Sequence, residues 1–131
     1  MRPIREDGSI DERSREKLQR AGLLVETLDA SAGVQNADYV YTDTWLDMEF
    51  FNDPDFQEEK RQRCEIMMPY QINAKLLEGS RAKIMHDMPI HAGYEITKDM
   101  VECDRSIIYD QAENRLDAQK AIMLFLLHEL K

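Results

Sequence analysis

Ala37-Asp38-Tyr39-Val40-Tyr41-Thr42-Asp43-Thr44 is the stretch on which the fold turns. Its first six residues read as a short strand that ends in the polar cluster Thr42-Asp43-Thr44. Two later runs repeat the arrangement. Ala82-Lys83-Ile84-Met85 reads as a buried strand and passes into His86-Asp87-Met88-Pro89, and Ser106-Ile107-Ile108-Tyr109 passes into Asp110-Gln111-Ala112-Glu113-Asn114-Arg115. The aliphatic run Leu23-Leu24-Val25-Glu26-Thr27-Leu28 also suits a strand.

Helical signals lie between these runs. Ser9 with Glu12 three residues later opens a helix that stops at Gly22, and Asp29 caps a brief helix leading to Asn36. Asn52-Asp53-Pro54 opens a charged helix to about Met67, which Pro69 ends. Gln71 to Glu78, closed by Gly79, reads as a second short helix. Ile96 to Cys103, capped by Thr97, reads as another, and Glu113 to Lys131 as a long one. Strands that alternate with helices and lack hairpin dipeptides require crossover connections. The expected fold class is therefore α/β, a parallel sheet flanked by helices, in one domain spanning residues 1–131. Ligands in such sheets bind beyond the carboxyl ends of the strands, which draws attention to Thr42-Asp43-Thr44-Trp45, His86-Asp87-Met88-Pro89 and Asp110 to Arg115.

Composition narrows the function classes. With 17 basic against 26 acidic residues the formal charge is −9 and the pI about 4.8, a balance that repels nucleic acid and anionic membrane surfaces. The apolar run from Ala121 to Leu127 is far shorter than the roughly 20 residues of a membrane span, and no signal-like stretch follows Met1. The chain reads as cytoplasmic. Cys64 and Cys103 lack a C-x-x-C spacing and read as free thiols. There is no Gly-rich phosphate loop, no G-x-S-x-G and no close Cys/His pair.

Each candidate residue has an ordinary reading beside its functional one. Asp43 at a strand end can hold an amine or cap a helix. His86 can donate to a carbonyl oxygen or be a half-buried imidazole satisfied by backbone. His86 and His91 invite a zinc reading, but Pro89 breaks the helix that would align them, so no metal site is expected. Asn114-Arg115, read at the start of the last helix, would set a guanidinium beside free N–H groups and suit a phosphate or carboxylate. The alternative is an arginine paired with Glu113 or Asp117. The helix around Gln57 to Arg63 reads as a solvated face. In the last helix, Leu116, Ile122, Met123, Phe125, Leu126, Leu127 and Leu130 cover more than one face. Either it packs against something besides this domain or it is a buried core helix.

Taken in order, Ala37-Asp38-x-Val40-Tyr41-Thr42-Asp43-Thr44-Trp45, Tyr70-Gln71-Ile72-Asn73, Met85-His86-x-Met88-Pro89 and Asp110 to Arg115 with Ala118-Gln119-Lys120-Ala121 resemble the aspartate/ornithine carbamoyltransferase family, most closely its ornithine enzymes. The resemblance runs from about Asp29 to Leu127. It implies the carboxyl-terminal, amino-substrate-binding part of an enzyme that moves a carbamoyl group from carbamoyl phosphate to an amine, with no metal or organic cofactor. It also implies that Asp43 faces the accepting amine, His86 donates to the carbamoyl oxygen, the backbone around Met88 borders the site, and Arg115 contacts carbamoyl phosphate. Where the ornithine enzymes read Ser-Met-Gly, this chain has Asp47-Met48-Glu49, and their Cys after the motif histidine is Asp87 here. The added negative charge favours a cationic head group over a carboxylate, so Asp47, Met48, Asp87 and Met88 join the expected substrate contacts. The family's amino-terminal domain, with its Ser-x-Arg-Thr-Arg motif, has no counterpart in the sequence. The expectation is an incomplete domain, inactive alone, that needs a partner chain for carbamoyl phosphate and assembles as an oligomer, a trimer in the family. The last helix would cross to that missing domain. The alternative is a non-catalytic binding or regulatory subunit that kept the fold.

Overall fold

The computed structural model describes residues 11–46 and 50–129. Its centre is a parallel pair of strands, β1 (Tyr39–Thr42) and β2 (Lys83–His86), in the register Tyr39 with Lys83 through Thr42 with His86. The crossover between them carries a 3-10 turn and the charged helix α3 (Gln57–Met67). Before β1 come α1 (Glu12–Arg20) and α2 (Ala30–Val34), and after β2 come α4 (Lys98–Val101) and the long α5 (Ile108–Glu129). The arrangement is a parallel sheet with flanking helices, as the alternation of runs required.

Local sequence explains most element ends. Asp11 accepts from Ser14 N–H at 3.3 Å to start α1, and Gly22, at φ 68°, leaves it. Ser9, expected to start that helix, lies outside the described residues. Asp29 caps α2 through Ala32 N–H at 3.0 Å. Along α3, Arg61 pairs with Glu58 and Glu65, and Arg63 with Glu59. These exposed pairs keep the helix solvated and contribute little energy. Arg63 also donates to the Trp45 carbonyl at 3.2 Å, tying α3 to the segment beyond β1.

Three expectations need correction. Leu23 to Leu28 is no strand: none of these residues joins a β-ladder among the described residues, Glu26 instead pairs with Arg15 of α1, and Leu23, Val25 and Leu28 lie 77, 84 and 88% exposed. Strand propensity yields a strand only where a neighbour supplies hydrogen bonds and a buried face. Gln71 to Glu78 is not helical, because Ile72 is drawn into a bridge with Ile96, donating to the Glu95 carbonyl at 2.9 Å and accepting from Thr97 N–H at 3.0 Å. Asn73 then organises a turn by accepting from Leu76 N–H. Ser106 to Tyr109 contributes a single bridge, Ile84 with Ser106, before α5 begins at Ile108. Two bonds, from Ile84 N–H to the Arg105 carbonyl and from Ile107 N–H to the Ile84 carbonyl, exhaust the pairing.

The core lies on one side of the sheet. Val34, Ile72, Leu77, Ile84, Ile96, Met100, Val101 and Ile108 form one buried cluster, with Val40 packed against it. On the opposite face Tyr39 and Tyr41 are exposed. Ile84 is fully buried at the centre of the cluster. Replacing it with alanine is expected to cost about 2–5 kcal/mol, a large share of a small domain's stability. A urea midpoint that stays put would place the core elsewhere.

Candidate functional site

The carboxyl ends of β1 and β2 and the first turns of α5 meet at one rim. A cleft of about 660 Å³ opens there, lined among others by Tyr41, Met85, His86, Asp87, Asp110, Gln111, Asn114 and Arg115. Gln111 ties its three walls together. Its Oε1 accepts from His86 N–H at 3.1 Å and its Nε2 donates to the Tyr41 hydroxyl at 3.1 Å. Neither Gln111 nor Tyr41 was singled out by sequence reasoning, although both stand inside the motifs that were.

Asp43 follows β1 directly. It accepts from Thr44 N–H at 2.6 Å, and no helix starts beside it among the described residues, so it caps a bend. Asp87 follows β2, and its carboxyl interacts with that of Asp43. Burial pushes the Asp87 carboxyl above its ordinary range, and the hydrogen bond and charge of Asp43 push it further, while His86 opposes the shift. Asp47 and Met48 lie outside the described residues.

His86 is wholly buried, which its place at a strand end did not announce. Its Nδ1 accepts the Met88 N–H at 2.8 Å and stands 3.5 Å from Asp87 Oδ1, while its Nε2 stands 3.3 Å from Glu95 Oε1. Met88 has a φ of 56°, a left-handed conformation that costs a non-glycine residue about 1 kcal/mol or more and persists only where its surroundings impose it. The Met88–Pro89 peptide is cis.

Arg115 lines the cleft but does not stand at the start of α5. The helix begins at Ile108, so Asn114 and Arg115 lie in its second turn with their N–H groups inside the helical ladder. The expected pairing of a guanidinium with free N–H groups is corrected accordingly. Among the described residues Arg115 makes no ion pair, and Asp117 is engaged by Lys120 at 3.5 Å. No group of three or more His, Cys, Asp or Glu side chains suited to a metal ion occurs among the described residues.

Beyond its first turns α5 leaves the body. Leu116, Ile122, Met123, Leu124, Phe125, Leu126 and Leu127 are all more than half exposed, which removes the buried-core reading of this helix. No helix among the described residues is long and apolar enough to cross a membrane.

Comparison with known proteins bears on this geometry. Residues 4–126 match the family model described as aspartate/ornithine carbamoyltransferase, Asp/Orn binding domain. The chain is similar to the ornithine carbamoyltransferase of Methanopyrus kandleri, 44% identical over 101 residues, which covers 76% of this chain and 30% of that protein. Similarity to the enzyme of Halalkalibacterium halodurans is 38% over 124 residues, 92% of this chain and 37% of that one. Among solved structures, the ornithine carbamoyltransferase of Pyrococcus furiosus superposes with a TM-score of 0.69 at 33% identity, over 90% of this chain and 38% of that one. The chain thus spans about a third of the length of the curated relatives it matches.

Proposed function

The chain belongs to the aspartate/ornithine carbamoyltransferase family, and from that premise we propose that it forms the amino-substrate side of a carbamoyl transfer site. In this reading an amine nitrogen attacks the carbamoyl carbon of carbamoyl phosphate, the bond from that carbon to the bridging oxygen breaks, phosphate departs, and the amine gives up a proton. Such a transfer needs fixed donors and charges around the reactants, with no covalent nucleophile.

Asp43 and Asp87 receive the amine. Arg115 meets the phosphate, where a planar guanidinium matches the oxygens it must hold. The Met88 backbone borders the reacting groups. His86 takes a different part from the carbonyl donor that the resemblance implies: buried, and bonded to Met88 N–H, it sets the shape of that border. A carbamoyl-phosphate-binding unit, in another chain or elsewhere in the same polypeptide, completes the site and covers the exposed apolar stretch of α5. A free patch of that kind marks an interaction surface.

The observation that carries this reading is the convergence of Asp87, the β2 end and Arg115 on one cleft, with Asp43 against Asp87. The same carboxyl pair points to the acceptor class. Two acids in hydrogen-bond contact attract an ammonium or guanidinium and repel a carboxylate a few ångströms away. The acceptor is accordingly a diamine, polyamine or guanidine-like cation in preference to ornithine. In thermal-shift titrations 1,4-diaminobutane is expected to protect the protein at concentrations about tenfold below those at which ornithine does, with the difference shrinking as salt is added. Better protection by ornithine would reject this acceptor class.

A further inference from the structure

Glu95 is fully buried and does not itself line the cleft, standing behind it against His86. A buried acid is costly unless its neighbours use it. Its Oε1 accepts the His91 N–H at 2.5 Å and lies 3.3 Å from His86 Nε2, while its Oε2 and the His86 Nε2 are buried without a well-aligned hydrogen bond among the described residues.

The far side of the same imidazole fixes the proton arrangement. Because His86 Nδ1 accepts the Met88 N–H, that nitrogen carries no proton. The ring proton of this neutral imidazole therefore sits on Nε2, where it faces Glu95. A proton on Nδ1 would oppose the Met88 N–H and release a backbone held at φ 56°. We infer that Glu95 is a positioning residue: by accepting from the Nε2–H it holds His86 in the tautomer whose Nδ1 pins the Met88 backbone at the rim of the cleft. This inference rests on the reading of that rim as the amine site. It adds a buried residue behind the rim that decides its shape.

The same carboxylate also holds the His91 backbone. The His91 backbone, held by Glu95, carries a ring stacked on Phe51 with centroids 3.7 Å apart, and the Lys60 ammonium sits over Phe51 at 3.5 Å. Glu95 thus connects the strand-end loop of β2 with Phe51 and Lys60.

The chain has three histidines, so nitrogen-15 labelling of histidine gives a short spectrum that His86→Asn assigns. The wild-type chain should show His86 protonated at Nε2 and bare at Nδ1, with a Met88 amide at least about tenfold slower to exchange than in a variant that lacks the bond. Glu95→Gln keeps an oxygen for the Nε2 proton and should preserve both signals. Glu95→Met should lose them, giving mixed tautomers and a Met88 amide that exchanges at least about tenfold faster. Should circular dichroism find Glu95→Met unfolded, Glu95→Asp, whose acid is withdrawn by one methylene, replaces it with the same expectation. A His86 protonated at Nδ1 in the wild type, or signals unchanged in the folded variant, would overturn the inference. These signals are read without ligand. Titration of 1,4-diaminobutane into the wild type tests the amine-site reading separately, so failure of either is distinguishable from failure of the other.

Discussion

With Arg115 replaced by alanine, a transferase reconstituted from this chain and a carbamoyl-phosphate-binding unit is expected to release phosphate about 100-fold more slowly or worse. Removing one preorganised donor from a developing anion commonly costs two to three orders of magnitude. The residue's circumstances favour the upper part of that range. Arg115 lines the cleft, makes no ion pair among the described residues, and so meets its ligand without first giving up a partner. Arg115→Lys retains charge and loses the planar fork, so recovery should be partial. Lys120→Ala on the same helix is the control, because that ammonium is already engaged by Asp117. Unchanged phosphate release in Arg115→Ala would remove the residue from the mechanism. An assembly that binds both reactants and releases nothing would favour the non-catalytic binding subunit.

The parts legible in the sequence were those governed by local chemistry. Tyr39 to Thr42 and Lys83 to His86 became the two strands, and Asp29 and Gly22 mark element ends where local preference and tertiary packing agree, whereas Thr97 precedes α4 without a side-chain cap bond. Leu23 to Leu28 failed because a strand is defined by its neighbour, which a single segment cannot reveal. Gln71 to Glu78 failed because Ile72 was claimed by Ile96, distant in sequence. The last helix was expected from Glu113 and begins at Ile108, five residues earlier, because only Ser106 of the run to Tyr109 bridges to the sheet, and this places Arg115 in the second turn without free N–H groups. In the site, the acids and the guanidinium were visible because strand ends in parallel sheets gather ligands. Glu95 was not. A lone acid between Tyr94 and Ile96 has no local signature, and its burial against His86 arises only once the loop folds back.

The Asp43 and Asp87 pair carries the remaining large expectation, and its sign follows from the direction of one shift. Burial and the neighbouring Asp43 hold the Asp87 carboxyl above its ordinary range. At low pH Asp87 is therefore protonated and the pair carries at most one charge. As pH rises through the raised value Asp87 ionises, so affinity for 1,4-diaminobutane should climb with pH and then level off. Folding stability moves the other way. A carboxyl whose pKa is raised on folding contributes stability that is present below its unfolded value and lost as pH rises through the folded one. A bound dication offsets that loss, and protection against thermal unfolding should therefore be greatest above the step. The contribution is moderated by solvent, since the Asp87 side chain is 46% exposed. Asp43→Asn removes the neighbouring charge, so the step should move to lower pH while plateau affinity falls about tenfold or more. Asp87→Asn should abolish the step, leaving a weak affinity that varies little with pH. Calorimetric titration of the three proteins across pH 4 to 8 separates these outcomes. If all three bind with the same pH dependence, the two carboxyls do not act on one amine, and the cationic acceptor loses its physical basis.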